Sequence, residues 1–329
     1  MSAALLVRAL RDPASVATLD ATGWNGLIAA ARAERLIGTL AFRLADVMVP
    51  PAVQPILADA RTDAAREARQ ALWEADRAVQ ALRPLDVRVI LLKGTAYAAA
   101  RLRAGQGRFI GDLDILVPRD RLAAVEQALI AAGWEWVKED AYDDAYYRQW
   151  MHELPPMIHR TRDRMIDVHH TILPLTARPT PDAAALIADA QPIADGLYML
   201  SAEDRVCHAA AHMLADGDLL GGLRNLWDIY GLLAECDPTL LDQRAARHGL
   251  RPHVWQARRL ALALYGDGAR LTLWDRFVRA RLLARDGWGS ETRKLLVFAF
   301  FLRSHWLRMP PLMLARHLWT KWRKGHRPG

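Results

Sequence analysis

Apolar residues recur at helical spacing over residues 2–83, as at Leu27, Ile28, Ala31 and Arg35-Leu36, and an Ala/Arg/Glu-rich run over 52–82 has high helix propensity. Pro50-Pro51 divides this region into two helical blocks, and no strand is expected before residue 85. The texture then changes. Residues 87–92 form a continuous aliphatic run closed by Gly94, which suits a buried strand, and 95–103 return to alanine-rich helix. A glycine-bearing loop follows over 104–107. Residues 112–117 then alternate acid and aliphatic before Pro118, a second strand. Residues 119–132 predict an amphipathic helix ending at Gly133, where a helix C-terminus favours glycine. Three further strands are expected over 134–138, 157–160 and 165–173, the last two forming a hairpin across 161–164.

After Leu200 the helical texture resumes. Ser201 with Asp204 three residues on reads as a capping box, residues 219–234 form an amphipathic partner, and Pro238, Pro252 and Pro310-Pro311 mark later helix starts. No internal repeat or low-complexity linker is present. The pattern predicts an α+β chain in three parts: an N-terminal helical region (1–83), a small mixed α/β core (84–200), and a C-terminal helical domain (201–329) ending in a basic aromatic tail.

Composition narrows this picture. At 329 residues and 52% apolar content, the chain has ample material for a packed core. Its two cysteines, Cys207 and Cys236, both lie in helical patterns, so neither a disulfide framework nor a cysteine-rich zinc site is available. No signal-peptide core and no uninterrupted apolar run of the roughly 18 residues needed to span a bilayer is found. A cytoplasmic setting is expected. The net charge of +7 fits a nucleotide, a nucleic acid or an anionic membrane surface, and charge alone does not choose among them.

The candidate chemistry lies in the core. Asp112 and Asp114 are one residue apart on the predicted strand, so both carboxylates fall on one face. Two carboxylates side by side repel, and a divalent cation relieves the repulsion; magnesium takes such oxygens and keeps its other positions for water and phosphates. Upstream, Lys93-Gly94-Thr95 opens a helix at a strand end, where glycine permits close approach to phosphate. Downstream, Asp167 offers a third carboxylate on another strand.

The sequence Leu91-Leu92-Lys93-Gly94, then Arg108, then Gly111-Asp112-Leu113-Asp114-Ile115-Leu116-Val117, then Asp167-Val168-His169, resembles the uncharacterised bacterial nucleotidyltransferase family of the DNA polymerase β-like superfamily. The resemblance runs from the N-terminal helices to about Leu233, through the helix bearing His208 and His212 and the segment Arg224-Asn225-Leu226-Trp227-Asp228. It implies a polymerase β-like core and two magnesium ions bound by Asp112 and Asp114. Asp167 would help to hold one ion and assist the attacking hydroxyl, with Gly94 and Thr95 contacting the triphosphate. The chain departs from the superfamily in carrying Thr95 where glycine or serine is usual, and in a longer gap between Gly94 and Asp112.

Lys93, Arg108 and Arg103 are candidate counter-charges for phosphate, with Gly111 beside the acids; the plain alternatives are solvated cations and, for Arg103, a helix end. His169 either orients Asp167 or touches substrate. His152, with Glu153, either lines the cleft or belongs to a polar loop. His208 and His212 stand at metal-ligand spacing but without the glutamate of an HExxH motif, so packing or a hydrogen bond to Asp228 or Arg224 is expected rather than zinc. Asp228 is expected to pair with Arg224.

The tail over 293–327 mixes Phe298, Phe300, Phe301, Trp306, Trp319 and Trp322 with Arg303, Arg308, Arg316, Lys321, Arg323 and Lys324. It reads as terminal helices packed on the core, with peripheral contact to an anionic membrane as the alternative. The expected function is magnesium-dependent transfer of a nucleotidyl group from a nucleoside triphosphate to a small-molecule, peptide or protein acceptor. A silent nucleotide-binding module and an RNA-binding or tRNA-modifying enzyme are the competing readings.

Overall fold

The structure is a computed structural model, and it describes residues 2–138, 140–194 and 196–308. Four helices precede the first strand: α1 (Ser2–Arg11), α2 (Ala21–Ala33), α3 (Ile37–Arg43) and α4 (Gln54–Leu82). The core follows as β1 (Val89–Leu91), α5 (Lys93–Ala99), β2 (Leu113–Leu116), α6 (Leu122–Ala131), β3 (Trp134–Trp136), α7 (Ala141–Trp150), β4 (Met157–His159), β5 (Met165–His169), α8 (Ala183–Ala188), β6 (Gln191–Ala194) and β7 (Leu197–Met199). The remaining helices are α9 (Ala202–Ala210), which runs into a π turn over Ala211–Asp216, then α10 (Gly222–Leu233), α11 (Pro238–Arg247), α12 (Arg251–Tyr265), α13 (Leu273–Leu282) and α14 (Lys294–Arg308).

The strands form one mixed sheet in the order β3-β4-β5-β2-β1-β7-β6. β2 lies at its centre, parallel to β5 and antiparallel to β1, and all four of its residues are buried. The expected hairpin of β4 and β5 is present, with Ile158 opposite Met165. Two features of the sheet region depart from the sequence reading. The β6–β7 hairpin extends the sheet beyond β1, and α7 fills a stretch for which no element was expected. β6 carries Pro192 and exposed residues, as an edge strand allows, while α7 has no clean apolar stripe.

Helix α4 brings the N-terminal region onto this sheet. Its buried residues Leu57, Ala60, Ala64, Ala71, Ala75, Ala78 and Leu82 repeat at three and four, one stripe of mostly small side chains that lies against α5, α6, β1 and β2. Glu74, buried on the same helix, takes two bonds from Arg162 at 2.8 and 2.9 Å, and that guanidinium also lies over Trp73 and Trp134. Glu67 accepts the Ile110 amide at 3.0 Å and so tethers the approach to β2. At Gly38 and Gly107 two backbones meet, and a Cβ on either would collide with the other's carbonyl oxygen. Gly107 also has φ +67°, which glycine alone adopts at little cost.

One connected set of buried apolar residues runs from Ala3 in α1 to Phe300 in α14, so all three regions share it. The C-terminal helices begin as their sequences direct: Ser201 Oγ accepts the Asp204 amide, Asp237 caps α11 ahead of Pro238, and Thr272 with Asp275 makes a full capping box. Phe300 of α14 stacks on Trp274, while Leu295, Phe298, Leu302 and Trp306 are exposed. No helix among the described residues is long and apolar enough to cross a membrane. The helix start expected at Pro310-Pro311 and the tail residues Arg316, Trp319, Lys321, Trp322, Arg323 and Lys324 lie outside the described residues.

Candidate active site

The parallel pairing of β2 with β5 sets Asp114 beside Asp167. Residues in register on adjacent parallel strands point to the same face, about 4.8 Å apart. Asp112, just before β2, projects to that face as well. The three carboxylates each place an oxygen within 4.8 Å of the others, with Asp112 exposed, Asp114 buried and Asp167 between. The convergence expected from the sequence is present.

Their environments differ. Asp114 Oδ1 accepts Lys93 Nζ at 2.6 Å and His169 Nε2 at 3.0 Å. Burial works against its charge, but Lys93 and His169 overcome it and hold the carboxyl well below the usual carboxylate range. Asp167 has no such help: its Oδ1 is buried without a hydrogen-bond partner. Burial, then the carboxylates of Glu153 and Asp114, push its pKa up to about 7. A buried carboxylate oxygen with nothing to accept from, among two other acids, is a costly arrangement for a protein alone. Hard divalent cations take oxygen donors of this kind, so the residues fit a magnesium-type ion.

Lys93 opens α5 with φ +46°, a left-handed conformation that costs a lysine about 1–2 kcal/mol. The bond to Asp114 helps to hold it there. The close approach that Gly94 permits is made by a side chain of the chain itself: the Arg108 guanidinium lies where a Cβ would stand. Arg108 is buried and donates from Nε to Asp228 Oδ2 at 2.9 Å. Asp228 therefore pairs across 120 residues with Arg108, in place of the expected local pairing with Arg224. Thr95 Oγ1 is buried without a partner.

Glu153 joins the end of β5 through an isolated bridge to His169, and Leu154 N–H donates to Val168 O. This carries His152 and Glu153 to the cluster. Glu153 Oε2 lies 3.4 Å from His169 Nε2 and 3.8 Å from His152 Nε2, a second set of three close donors. Burial opposes protonation of His169, but Glu153 and Asp114 raise its pKa, and its Nε2 lies against Asp114. His152 is driven the other way by burial and by His169.

Gly111 has open space around it and faces a groove shared with Arg32, Arg35 and Phe109. Arg103 packs its guanidinium over Trp227 and Tyr230, 5.9 and 5.6 Å from their ring centres. A small cavity adjoins the acids, bounded by Lys93, Tyr97 and Arg108 on one side and His208, His212 and Arg224 on the other. Sequence reasoning named each of those residues except Tyr97 without gathering them into one site. No local spacing could do so, because α9 and α10 reach the cavity only through tertiary packing.

A family model described as an uncharacterised nucleotidyltransferase matches residues 20–266. The match begins at Asp20, the cap of α2, and ends at Gly266, just after α12. It thus reaches past the Leu233 limit of the sequence resemblance. No curated protein matches the chain.

Proposed function

We propose that this chain, which belongs to the uncharacterised nucleotidyltransferase family, moves a nucleotidyl group from a nucleoside triphosphate to a small-molecule, peptide or protein acceptor and releases pyrophosphate. Asp112, Asp114 and Asp167 would hold magnesium, which when bound neutralises phosphate charge and polarises the reacting oxygens. The acceptor oxygen attacks the α-phosphorus in line; a new O–P bond forms as the bond from that phosphorus to the pyrophosphate oxygen breaks. Asp167, beside the carboxylate pair on the neighbouring strand, is placed to take the acceptor's proton. Lys93 and the His169–Glu153 pair keep Asp114 oriented and ionised.

The observation that carries this reading is the trio of carboxylates brought together by β2 and β5, with Asp167 Oδ1 left unpartnered. The test is incubation with radiolabelled triphosphates and a cell extract, with and without magnesium. Label should move to an extract component in a magnesium-dependent way. A folded Asp112→Ala, Asp114→Ala double variant that still transfers label would reject the assignment.

A further inference from the structure

Several cations that line or flank the cavity are bonded to carboxylates. Lys93 has Asp114, Arg108 has Asp228 and Arg205 has Glu235. Arg224 forms no salt bridge among the described residues; its hydrogen bond there runs from Nη2 to the neighbouring Asn225 Oδ1 at 3.3 Å. It is half-buried, and it lines the cavity beside Lys93 together with His208, His212 and Asn225. Burial, then Arg108, lowers its pKa to about 10, against the attraction of Asp228 and Asp112, neither of which bonds it. A guanidinium sheltered from water without a counter-ion is unfavourable, and its planar donors match phosphate oxygens.

The rest of the cavity agrees with an anion. Burial keeps His208 neutral, with a pKa of about 3, and also lowers that of His212, so both serve as neutral hydrogen-bonding groups. The carboxylate on the cavity wall, Asp228, is already bound to Arg108. Lys93 is shared, since it lines the cavity and bonds Asp114 of the acidic trio. The two sites are therefore adjacent, with opposite charge deficits.

We propose that Arg224, assisted by His208, His212 and Asn225, binds the terminal phosphates of the nucleoside triphosphate, the portion that leaves as pyrophosphate. This rests on the nucleotidyl-transfer reading, which puts the α-phosphorus at the carboxylates; the remaining phosphates then extend past Lys93 into the cavity. An anionic group on the acceptor is the other source of the same chemistry.

The test uses the full chain with magnesium, titrated calorimetrically with tripolyphosphate, a nucleoside triphosphate and the matching monophosphate. Arg224→Gln should weaken tripolyphosphate and triphosphate by the same factor, about ten- to a hundredfold, and leave the monophosphate unchanged. Arg224→Lys should recover part of the loss, and His212→Asn should shift affinity in the same direction, which covers a poorly folding Arg224 variant. Arg224→Gln that binds tripolyphosphate like the parent overturns the proposal, and a rise confined to the acceptor KM assigns the cavity to the acceptor. Arg224-dependent tripolyphosphate binding in a protein that never transfers label would sink the enzyme reading and leave this site standing.

Discussion

Asp204 and Asp167 are both withdrawn from water, and their carboxyls are driven in opposite directions. Asp204, fully buried at the start of α9, accepts Arg244 Nε at 2.8 Å and His248 Nε2 at 3.0 Å; burial opposes its charge, but these partners prevail and its pKa falls. Asp275 is served similarly by Arg259, Gln256 and its own cap. Asp167 receives no cation of its own and rises to about 7. The chain evidently can supply partners for buried acids, since the C-terminal helices do so repeatedly. Where it leaves three acids short of positive charge, the deficit marks a place for something the polypeptide does not provide.

The largest effect expected from breaking this contrast is on stability. Asp204→Ala removes the buried carboxylate shared by Arg244 and His248, leaving Arg244 only its exposed carboxylate partner Asp189, and should cost about 3–5 kcal/mol in urea unfolding. Asp167→Asn should do the reverse in metal-free protein, with a gain of about 2 kcal/mol at pH 8. The sign follows from proton uptake. Between the ordinary value of 3.8 and about 7 the folded chain binds more protons at Asp167 than the unfolded chain does. Stability from this group is therefore highest at low pH, falls as pH rises through that window, and stays low above it. The gain on Asp167→Asn should vanish near pH 4, and the variant should lose any stabilisation by added magnesium. A variant equal to the parent at pH 8 would deny the strain at Asp167.

Gly94→Ala probes the junction of the two charged sites, because a methyl there must evict the Arg108 guanidinium. A cost of about 1–3 kcal/mol in thermal or urea unfolding is expected, along with weaker triphosphate binding as the cavity wall shifts. The smallest effect belongs to Arg103→Ala, which loses its stacking on Trp227 and Tyr230 and about 0.5–1 kcal/mol. A loss of nucleotide affinity in that variant would instead place Arg103 among the phosphate ligands.

The acid strand, the β4–β5 hairpin and the helix starts at Ser201, Pro238 and Pro252 were legible because they depend on local period, turns and caps. The β6–β7 edge was not, since Pro192 and exposed side chains give it no alternation. Arg108 looked like a free counter-charge because its partner Asp228 is 120 residues away. The sequence left Glu153 open between cleft and loop, and the bridge to His169 is what brings it to the acids. Spacing revealed which carboxylates share a face; which charges remain unmatched depends on neighbours that only the folded chain selects.

The contact between Gly38 and Gly107 bears on how such a protein can be cut or recombined. The loop that delivers Arg108 rests its main chain on the N-terminal helices, and the Ile110 N–H donates to Glu67 just before the acids begin. A fragment starting at the first strand would lack the floor on which that loop is laid. Changes to the site are therefore easier to graft around the carboxylates than by exchanging the leading helices wholesale.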